Sequence, residues 1–262
     1  MIPKEKFYRA YMDFFETAER KRRWNIFEDI PWDKLSPDTN SEERAIRVET
    51  YCAEELYLPD YNLAGVEMTR SVFGLAWFQT CWSQEEARHG LAFREYLLRS
   101  GLRTEQQFAK FETDTFSRSW KMPFTTRRQM TCYGTLQETA TYLAYKAQKD
   151  RAELENDKIL EAIFFLISRD EAAHAGFYRE MLELEMADDR SGTIADLALV
   201  IEHFKMPGDG LIPNYQQKLK VGGGGISSRQ FFMRAVLPTL KQLGTSRDEL
   251  RDATSFVLGA AF

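Results

Sequence analysis

The segments Glu86-Ala-Arg-His89 and Glu171-Ala-Ala-His174 share the pattern Glu-x-x-His and contain two of the three histidines in the chain. On an α-helix, residues three positions apart lie on one face, so each glutamate and its histidine can reach the same metal ion. Glu171 follows Glu86 by 85 residues, and His174 follows His89 by the same number. This repeat indicates two related halves, each of which contributes one metal-binding helix.

Two further glutamates extend the repeat into a set of six side chains. Glu54 precedes Glu86 by 32 residues, and Glu138 precedes Glu171 by 33. One glutamate from each of two helices, with Glu-x-x-His from each of the other two, is the ligand set of ferritin-like bundles that bind two metal ions. The sequence therefore predicts an all-α fold, a ferritin-like four-helix bundle, with metal ligands Glu54, Glu86, His89, Glu138, Glu171 and His174.

The charge of these glutamates supports the metal interpretation. Four ionised carboxylates in an apolar core would carry a large desolvation cost, which two divalent cations would offset. Taken singly, each of the four glutamates could equally well face solvent, and each of the two histidines could equally well be a buried structural residue. The six together favour a site for two metal ions.

Two acidic residues stand next to the predicted ligands in equivalent places. Asp170 precedes Glu171 as Glu85 precedes Glu86. A metal-bound histidine usually donates its second ring N–H to a carboxylate. The symmetry of the halves predicts crossed pairs, Asp170 with His89 and Glu85 with His174, although two acids on helix surfaces would give the same sequence.

Helical patterns continue on both sides of the predicted bundle. We expect a first helix over residues 4–23, a loop over 24–40, and a long helix from Gly65 to Ser100 that ends at Gly101. Shorter helices are expected over 193–205 and 228–243, and a last one from Arg247 to the end. Because no shift in composition marks a boundary, residues 1–262 are interpreted as one domain with a bundle core at about 41–186.

Composition excludes several classes of protein. The net charge of −5 argues against nucleic acid as a partner, and no apolar run approaches the roughly 20 residues that a membrane helix needs. Cys52, Cys81 and Cys132 are an odd number without metal-ligand spacing. Together with an N-terminus that lacks a signal-like apolar stretch, they predict a cytoplasmic protein.

Several segments resemble those of the soluble acyl-ACP desaturases, the plant stearoyl-ACP type and its bacterial relatives. Trp82-Ser-Gln-Glu-Glu-Ala-Arg-His-Gly90 and Asp170-Glu-Ala-Ala-His174 are similar to the two signature segments of that family. Ala53-Glu-Glu-Leu-Tyr-Leu-Pro-Asp-Tyr61 resembles its first ligand segment, with one extra residue before the proline, and 136–141 resembles its third. The segment from Phe204 to Pro213 is similar to one in bacterial members.

The resemblance implies two iron ions, since iron, unlike zinc, can change its redox state. Glu54 and Glu138 would be terminal ligands, Glu86 and Glu171 bridging ligands, and one histidine would bind each iron. Thr141 matches a threonine of the family beside the oxygen site. Trp32 would be the indole that joins Asp170 and His89 in a path to the surface.

The same resemblance implies an O2-dependent desaturase that introduces a cis double bond into an acyl chain on acyl carrier protein. Electrons would come from a ferredoxin-type donor, and the enzyme would be a homodimer. The cluster Arg20, Lys21, Arg22 and Arg23 is a candidate surface for the acidic carrier protein, although it would equally suit the end of a helix. Other interpretations are a di-iron oxygenase with a different substrate, a ferroxidase-type bundle, and a helical interaction protein without metal.

Overall fold

The computed structural model describes residues 2–36, 40–222, 225–246 and 248–251. Within these residues there is no β-strand, so the predicted all-α fold is confirmed. No helix in this part of the chain combines the length and the apolarity that crossing a membrane requires. The α-helices are α1 Lys4–Thr17, α2 Glu42–Leu56, α3 Leu58–Thr69, α4 Phe73–Arg99, α5 Glu105–Phe116, α6 Arg127–Leu154, α7 Lys158–Asp188, α8 Arg190–His203, α9 Tyr215–Val221, α10 Ser228–Phe231 and α11 Leu237–Gln242.

Four of these helices, α2, α4, α6 and α7, carry the predicted metal ligands. Helix α6 packs along α7, α2 packs against α4, and α4 also contacts α7. One apolar cluster contains Phe93 and Ile163, and another contains Phe78 and Met181. The Glu-x-x-His segments of α4 and α7 lie in sequence between these two clusters. The polar ligands are therefore held between two blocks of packed apolar side chains.

Local sequence signals explain where the bundle helices begin and end. The side chains of Ser41, Thr126 and Asp157 each accept a hydrogen bond from a backbone N–H in the first turn of α2, α6 and α7, respectively. Such caps satisfy donors that would otherwise lack a partner. At the other end of α4, Gly101 has a φ of 75°, which a glycine adopts without strain.

The predicted start of the helix from Gly65 to Ser100 is wrong, because a turn after Thr69 separates two helices, α3 and α4. Val72 has an extended backbone, with φ of −128°. Helix α1 crosses close by, and a Cβ atom on Gly74 would lie 2.3 Å from the backbone oxygen of Phe7. Helix α5 was not predicted, although Thr104 and Gln107 form a capping box at its start. The helix expected from Arg247 lies largely outside the described residues.

Candidate metal centre

Buried carboxylates and imidazoles from α2, α4, α6 and α7 converge at the centre of the bundle. One group of potential ligand atoms comes from Glu55, Glu86, His89 and Glu171, and a second group comes from Glu86, Glu138, Glu171 and His174. Within each group these atoms lie within 4.8 Å of one another. The two groups share Glu86 and Glu171, so the arrangement is that of two adjacent metal positions.

Glu86 and Glu171 lie between the two histidines. Nδ1 of His89 is 3.5 Å from Glu86 and 3.3 Å from Glu171, and Nδ1 of His174 is 3.0 Å and 3.9 Å from the same two carboxylates. Glu138 approaches only the Nδ1 of His174, at 3.5 Å. Two central carboxylates with one imidazole on each side match the geometry of bridging ligands and their flanking histidines.

The protein's own groups do not satisfy this cluster, and cations would. Both carboxylate oxygens of Glu171 and the Nδ1 atoms of His89 and His174 are buried without a hydrogen-bond partner in the protein. Burial and the nearby charge of Glu171 raise the pKa of Glu138 well above its usual range. Unpaired lone pairs and excess negative charge in a buried space are what divalent cations relieve, so these residues fit a two-metal site.

The outer nitrogen of each histidine faces a carboxylate of the opposite half, as the symmetry of the sequence predicts. Nε2 of His89 is 3.2 Å from Oδ2 of Asp170, and Nε2 of His174 is 2.7 Å from Oε2 of Glu85. These contacts leave each Nδ1 facing the carboxylate cluster. The structure thus brings both crossed pairs together in the geometry that orients metal-binding histidines.

At α2 the structure differs from the prediction, because Glu55 and not Glu54 enters the cluster. Glu55 accepts a hydrogen bond from the hydroxyl of Tyr145, while Glu54 turns toward Tyr215 and accepts a 2.5 Å hydrogen bond from its hydroxyl. A shift of one residue rotates a side chain by about 100° around the helix axis, which separates the two glutamates. The extra residue before Pro59 was the signal that could have identified Glu55. When this segment is aligned with the family's first ligand segment from the proline, instead of from the first glutamate, Glu55 takes the ligand position.

The predicted role of Trp32 is also wrong. The indole of Trp32 donates to the backbone oxygen of Ile26. Trp24 instead donates from Nε1 to Oδ2 of Asp170 at 2.7 Å, and its ring stacks on His89 with 6.3 Å between centroids. Both tryptophans belong to the irregular segment before α2, where no periodicity in the sequence selects one over the other.

The basic cluster at residues 20–23 does not form one exposed surface. Arg22 is buried and bonds through its guanidinium to both Glu85 and Asp170. Arg23 also bonds to Glu85, whereas Arg20 and Lys21 are exposed. The chain continues from α1 into a π-helical turn over Ala18–Arg22, and its final residue links the two carboxylates behind the histidines. Arg22 and Arg23 therefore bond to the carboxylates behind the histidines and do not form an exposed docking surface, contrary to the docking prediction.

A small cavity, termed here the inner cavity, adjoins the carboxylate cluster and has a volume of about 60 Å³. Glu55, Glu86 and Glu138 form its polar wall, and the hydroxyl-bearing Thr141 lies on its rim. The remaining wall is built mainly of aromatic and methionine side chains, among them Tyr61, Trp82, Trp120, Met122, Met130, Tyr133 and Met206. This volume is far below the roughly 300 Å³ of a typical ligand pocket, so the cavity as it stands has room for only a short apolar part of a substrate beside the carboxylate cluster.

One wall of the inner cavity is made by a hydrogen bond between Gln79 and Tyr178. The side-chain nitrogen of Gln79 donates to the Tyr178 hydroxyl at 2.6 Å. Each partner rests on a glycine: a Cβ atom on Gly65 would lie 2.3 Å from the Gln79 amide oxygen, and one on Gly134 would lie 2.9 Å from the Tyr178 ring. The two glycines make room for this wall.

A second, larger cavity of about 510 Å³, the outer cavity, lies between α2, α6, α8 and the segment after α9. It shares Glu54, Thr141 and Met206 with the inner cavity. The hydroxyl of Thr141, which lines both cavities, donates a hydrogen bond to the backbone oxygen of Gln137. The two cavities thus adjoin each other, with the inner one beside the carboxylate cluster.

The fold and the cluster define a helical bundle built around carboxylate and histidine side chains that could bind metal. The chain belongs to the fatty acid desaturase family, whose model matches residues 42–220. It is 25% identical over 242 residues to DesA1 of Mycobacterium tuberculosis, assigned as an acyl-[acyl-carrier-protein] desaturase, in strains CDC 1551 and H37Rv. That alignment covers 84% of this chain and 70% of DesA1.

The fold also resembles a solved structure. The X-ray structure of DesA2 from M. tuberculosis H37Rv, assigned as an acyl-ACP desaturase, superposes with a TM-score of 0.65 at 18% identity. The match covers 93% of this chain and 99% of the DesA2 chain. Family membership supports a fatty acid desaturase, and therefore an oxidoreductase that acts in lipid metabolism.

Proposed function

We propose that this chain is a di-iron, O2-dependent desaturase that introduces a cis double bond into a fatty acyl chain carried by acyl carrier protein. The observation that carries the proposal is the pair of buried ligand groups sharing Glu86 and Glu171, beside an apolar cavity. Family membership and the assigned activity of DesA1 support the substrate class.

In this proposal the residues Glu55, Glu86, His89, Glu138, Glu171 and His174 would hold two iron ions, with Glu86 and Glu171 common to both ligand groups. Iron bound there would supply the redox chemistry for reduction of O2 and oxidation of a C–H bond, which zinc could not supply. The protein fixes the ligands before binding: Tyr145 holds Glu55, and the indole of Trp82 donates to Glu138 at 3.1 Å. Such prior orientation reduces the reorganisation that the reaction requires.

The two cavities would position the acyl chain. The apolar wall of the inner cavity would hold the hydrocarbon against the ligand cluster and exclude water from the oxidising site. Thr141, on the boundary between the cavities, carries the hydroxyl we assign to proton delivery near the oxygen site. Its present hydrogen bond to Gln137 holds that hydroxyl in position.

Electrons would come from a separate donor protein, since the sequence has no glycine fingerprint for a flavin or nicotinamide after a predicted strand. We assign their point of entry to Trp24 because of its contacts. The indole contacts His89 by stacking and contacts Asp170 by a hydrogen bond. Arg88 lies 5.3 Å above the Trp24 ring and is partly exposed. A ferredoxin-type donor docking at this position would reach the histidine through one side chain.

Anaerobic reconstitution with ferrous iron tests the metal centre. We expect about two iron atoms per chain, and a Glu55→Gln variant should lose one of them. The matched variant Glu54→Gln should retain both, because that side chain bonds to Tyr215 outside the cluster. Well under one iron per chain in the wild type, or equal losses in both variants, would overturn the assignment.

Turnover tests the reaction. With ferredoxin, ferredoxin reductase and O2, long-chain acyl carrier protein should yield a product two mass units lighter, with a cis double bond. An oxygenated product would identify an oxygenase instead. Iron oxidation without acyl product, in a large closed shell rather than the proposed homodimer, would identify a ferroxidase-type protein.

A further inference from the structure

The stretch from His203 to Val236 has a charge opposite to that of the whole chain. It contains the five basic residues Lys205, Lys218, Lys220, Arg229 and Arg234, and a single acidic residue, Asp209, whereas the chain carries a net charge of −5. Lys205, Lys220, Arg229 and Arg234 are exposed, and none of them forms an ion pair with a described residue. These cations are therefore available to a partner.

Three of these cations lie in or next to the lining of the outer cavity. Lys205 and Lys220 line the outer cavity, as do Ser227 and Ser228, and Arg229 is the next residue along the chain. Lys205 lies just beyond the end of α8, and Lys220 lies on α9, so the two lysines reach the cavity from different elements. Asp209 and the half-buried Glu54 are the acidic residues of the lining. Three cations without an ion pair to a described residue, Lys205, Lys220 and Arg229, thus lie in or next to this lining, and the region they occupy is termed here the mouth of the outer cavity.

By contrast, the densest basic cluster in the sequence is largely engaged in ion pairs, and among residues 20–23 only Lys21 is exposed without an ion pair to a described residue. Arg22 and Arg23 are bound to Glu85, and Arg20 pairs with Glu16. None of residues 20–23 lines the inner or the outer cavity. A partner that must deliver a chain into the outer cavity would gain nothing from docking there.

We propose that Lys205, Lys220 and Arg229 form the docking surface for acyl carrier protein, an acidic partner. This inference rests on the proposed function, and it places the partner at the mouth of the cavity that leads to the carboxylate cluster. The carrier's acidic face would pair with the three cations. Its acyl chain would then pass through the outer cavity, past Thr141, to the inner cavity.

The test compares charge reversal at the mouth with the same change elsewhere. Binding of long-chain acyl carrier protein to the iron-loaded chain is measured against ionic strength for wild type, for Lys205→Glu with Lys220→Glu, and for Lys6→Glu with Lys158→Glu. The control lysines are exposed and line neither cavity. We expect the mouth variant to bind about tenfold more weakly at low salt, with a flatter salt dependence, and the control to match wild type.

A second measurement separates docking from folding and from iron loading. Iron content and the midpoint of thermal unfolding, neither of which involves an acyl substrate, should be unchanged in the mouth variant. Equal weakening in both reversal variants, or carrier binding that the mouth variant leaves intact, would overturn the docking surface. Wild-type binding of the carrier without formation of an unsaturated product would refute the proposed reaction and leave the docking surface standing.

Discussion

Replacing Trp24 by phenylalanine removes one hydrogen bond from the metal centre and keeps an aromatic ring beside His89. The indole N–H and Nε2 of His89 both contact the same oxygen of Asp170, at 2.7 Å and 3.2 Å. A hydrogen bond to an ionised group is worth about 1.5–3 kcal/mol. If that energy is spent on holding Asp170 and its histidine in place, its loss corresponds to a roughly 10–100-fold weaker affinity for iron.

Trp32→Phe is the matched control, because it removes an indole hydrogen bond of the same length, 2.7 Å, from a neutral backbone oxygen. We expect it to lower stability by about 0.5–1.5 kcal/mol and to leave iron affinity unchanged. Anaerobic competition of both variants against a ferrous chelator measures the difference. Equal iron affinities for Trp24→Phe and Trp32→Phe would refute the argument that the indole of Trp24 acts through Asp170.

Four further substitutions probe the carboxylate cluster and its surroundings. Asp170→Asn and Glu85→Gln should each fold and should each lower iron affinity or turnover by about 10–100-fold; wild-type values would reject the crossed pairs. Thr141→Val should retain iron and substrate but yield less product per electron consumed, and an unchanged ratio would remove the threonine from the reaction. Although burial opposes it, hydrogen bonds from Arg47 and Arg151 lower the pKa of Glu155 to about 2. The stabilisation of the fold by the ionised Glu155 carboxylate should therefore be complete above pH 4.5 and lost as the pH falls toward 2. Glu155→Gln leaves the buried Arg47 without its ion pair and should lower the free energy of unfolding by about 2–3 kcal/mol at neutral pH. Urea titrations at several pH values should show a flatter acid transition for this variant than for the wild type.

The parts of this molecule that were predictable from the sequence are those governed by helical periodicity. His89 and His174, three residues after their glutamates, had to share a face with them, and the repeat of the pattern then identified the crossed partners Asp170 and Glu85. Helix α2 contributes a single glutamate to the cluster and has no histidine three residues later to identify the ligand face. Two adjacent glutamates were therefore candidates, and the packing of Tyr215 against Glu54 decided between them.

The irregular segments could not be predicted in the same way. Trp24 and Trp32 follow α1 at different distances, and the fold of that connection brings Trp24 to Asp170. Arg22 carries the same charge as its exposed neighbours, and only the π-helical turn that ends α1 directs it inward. Contacts of this kind depend on tertiary packing, which a local sequence pattern does not record.

The wall formed by Gln79 and Tyr178 implies that four positions of this chain cannot vary independently. Because Gly134 leaves no room for a Cβ atom under the Tyr178 ring, an alanine at 134 would require a smaller side chain at 178. An alanine at 65 would displace the Gln79 amide and so disturb its hydrogen bond to Tyr178. A relative that accommodates a longer hydrocarbon beyond the metal should therefore differ at both members of a pair at once. A change in the preferred acyl-chain length would then arise in evolution by paired substitutions, one on α3 and one on α4, or one on α6 and one on α7. Either substitution alone would give a strained protein.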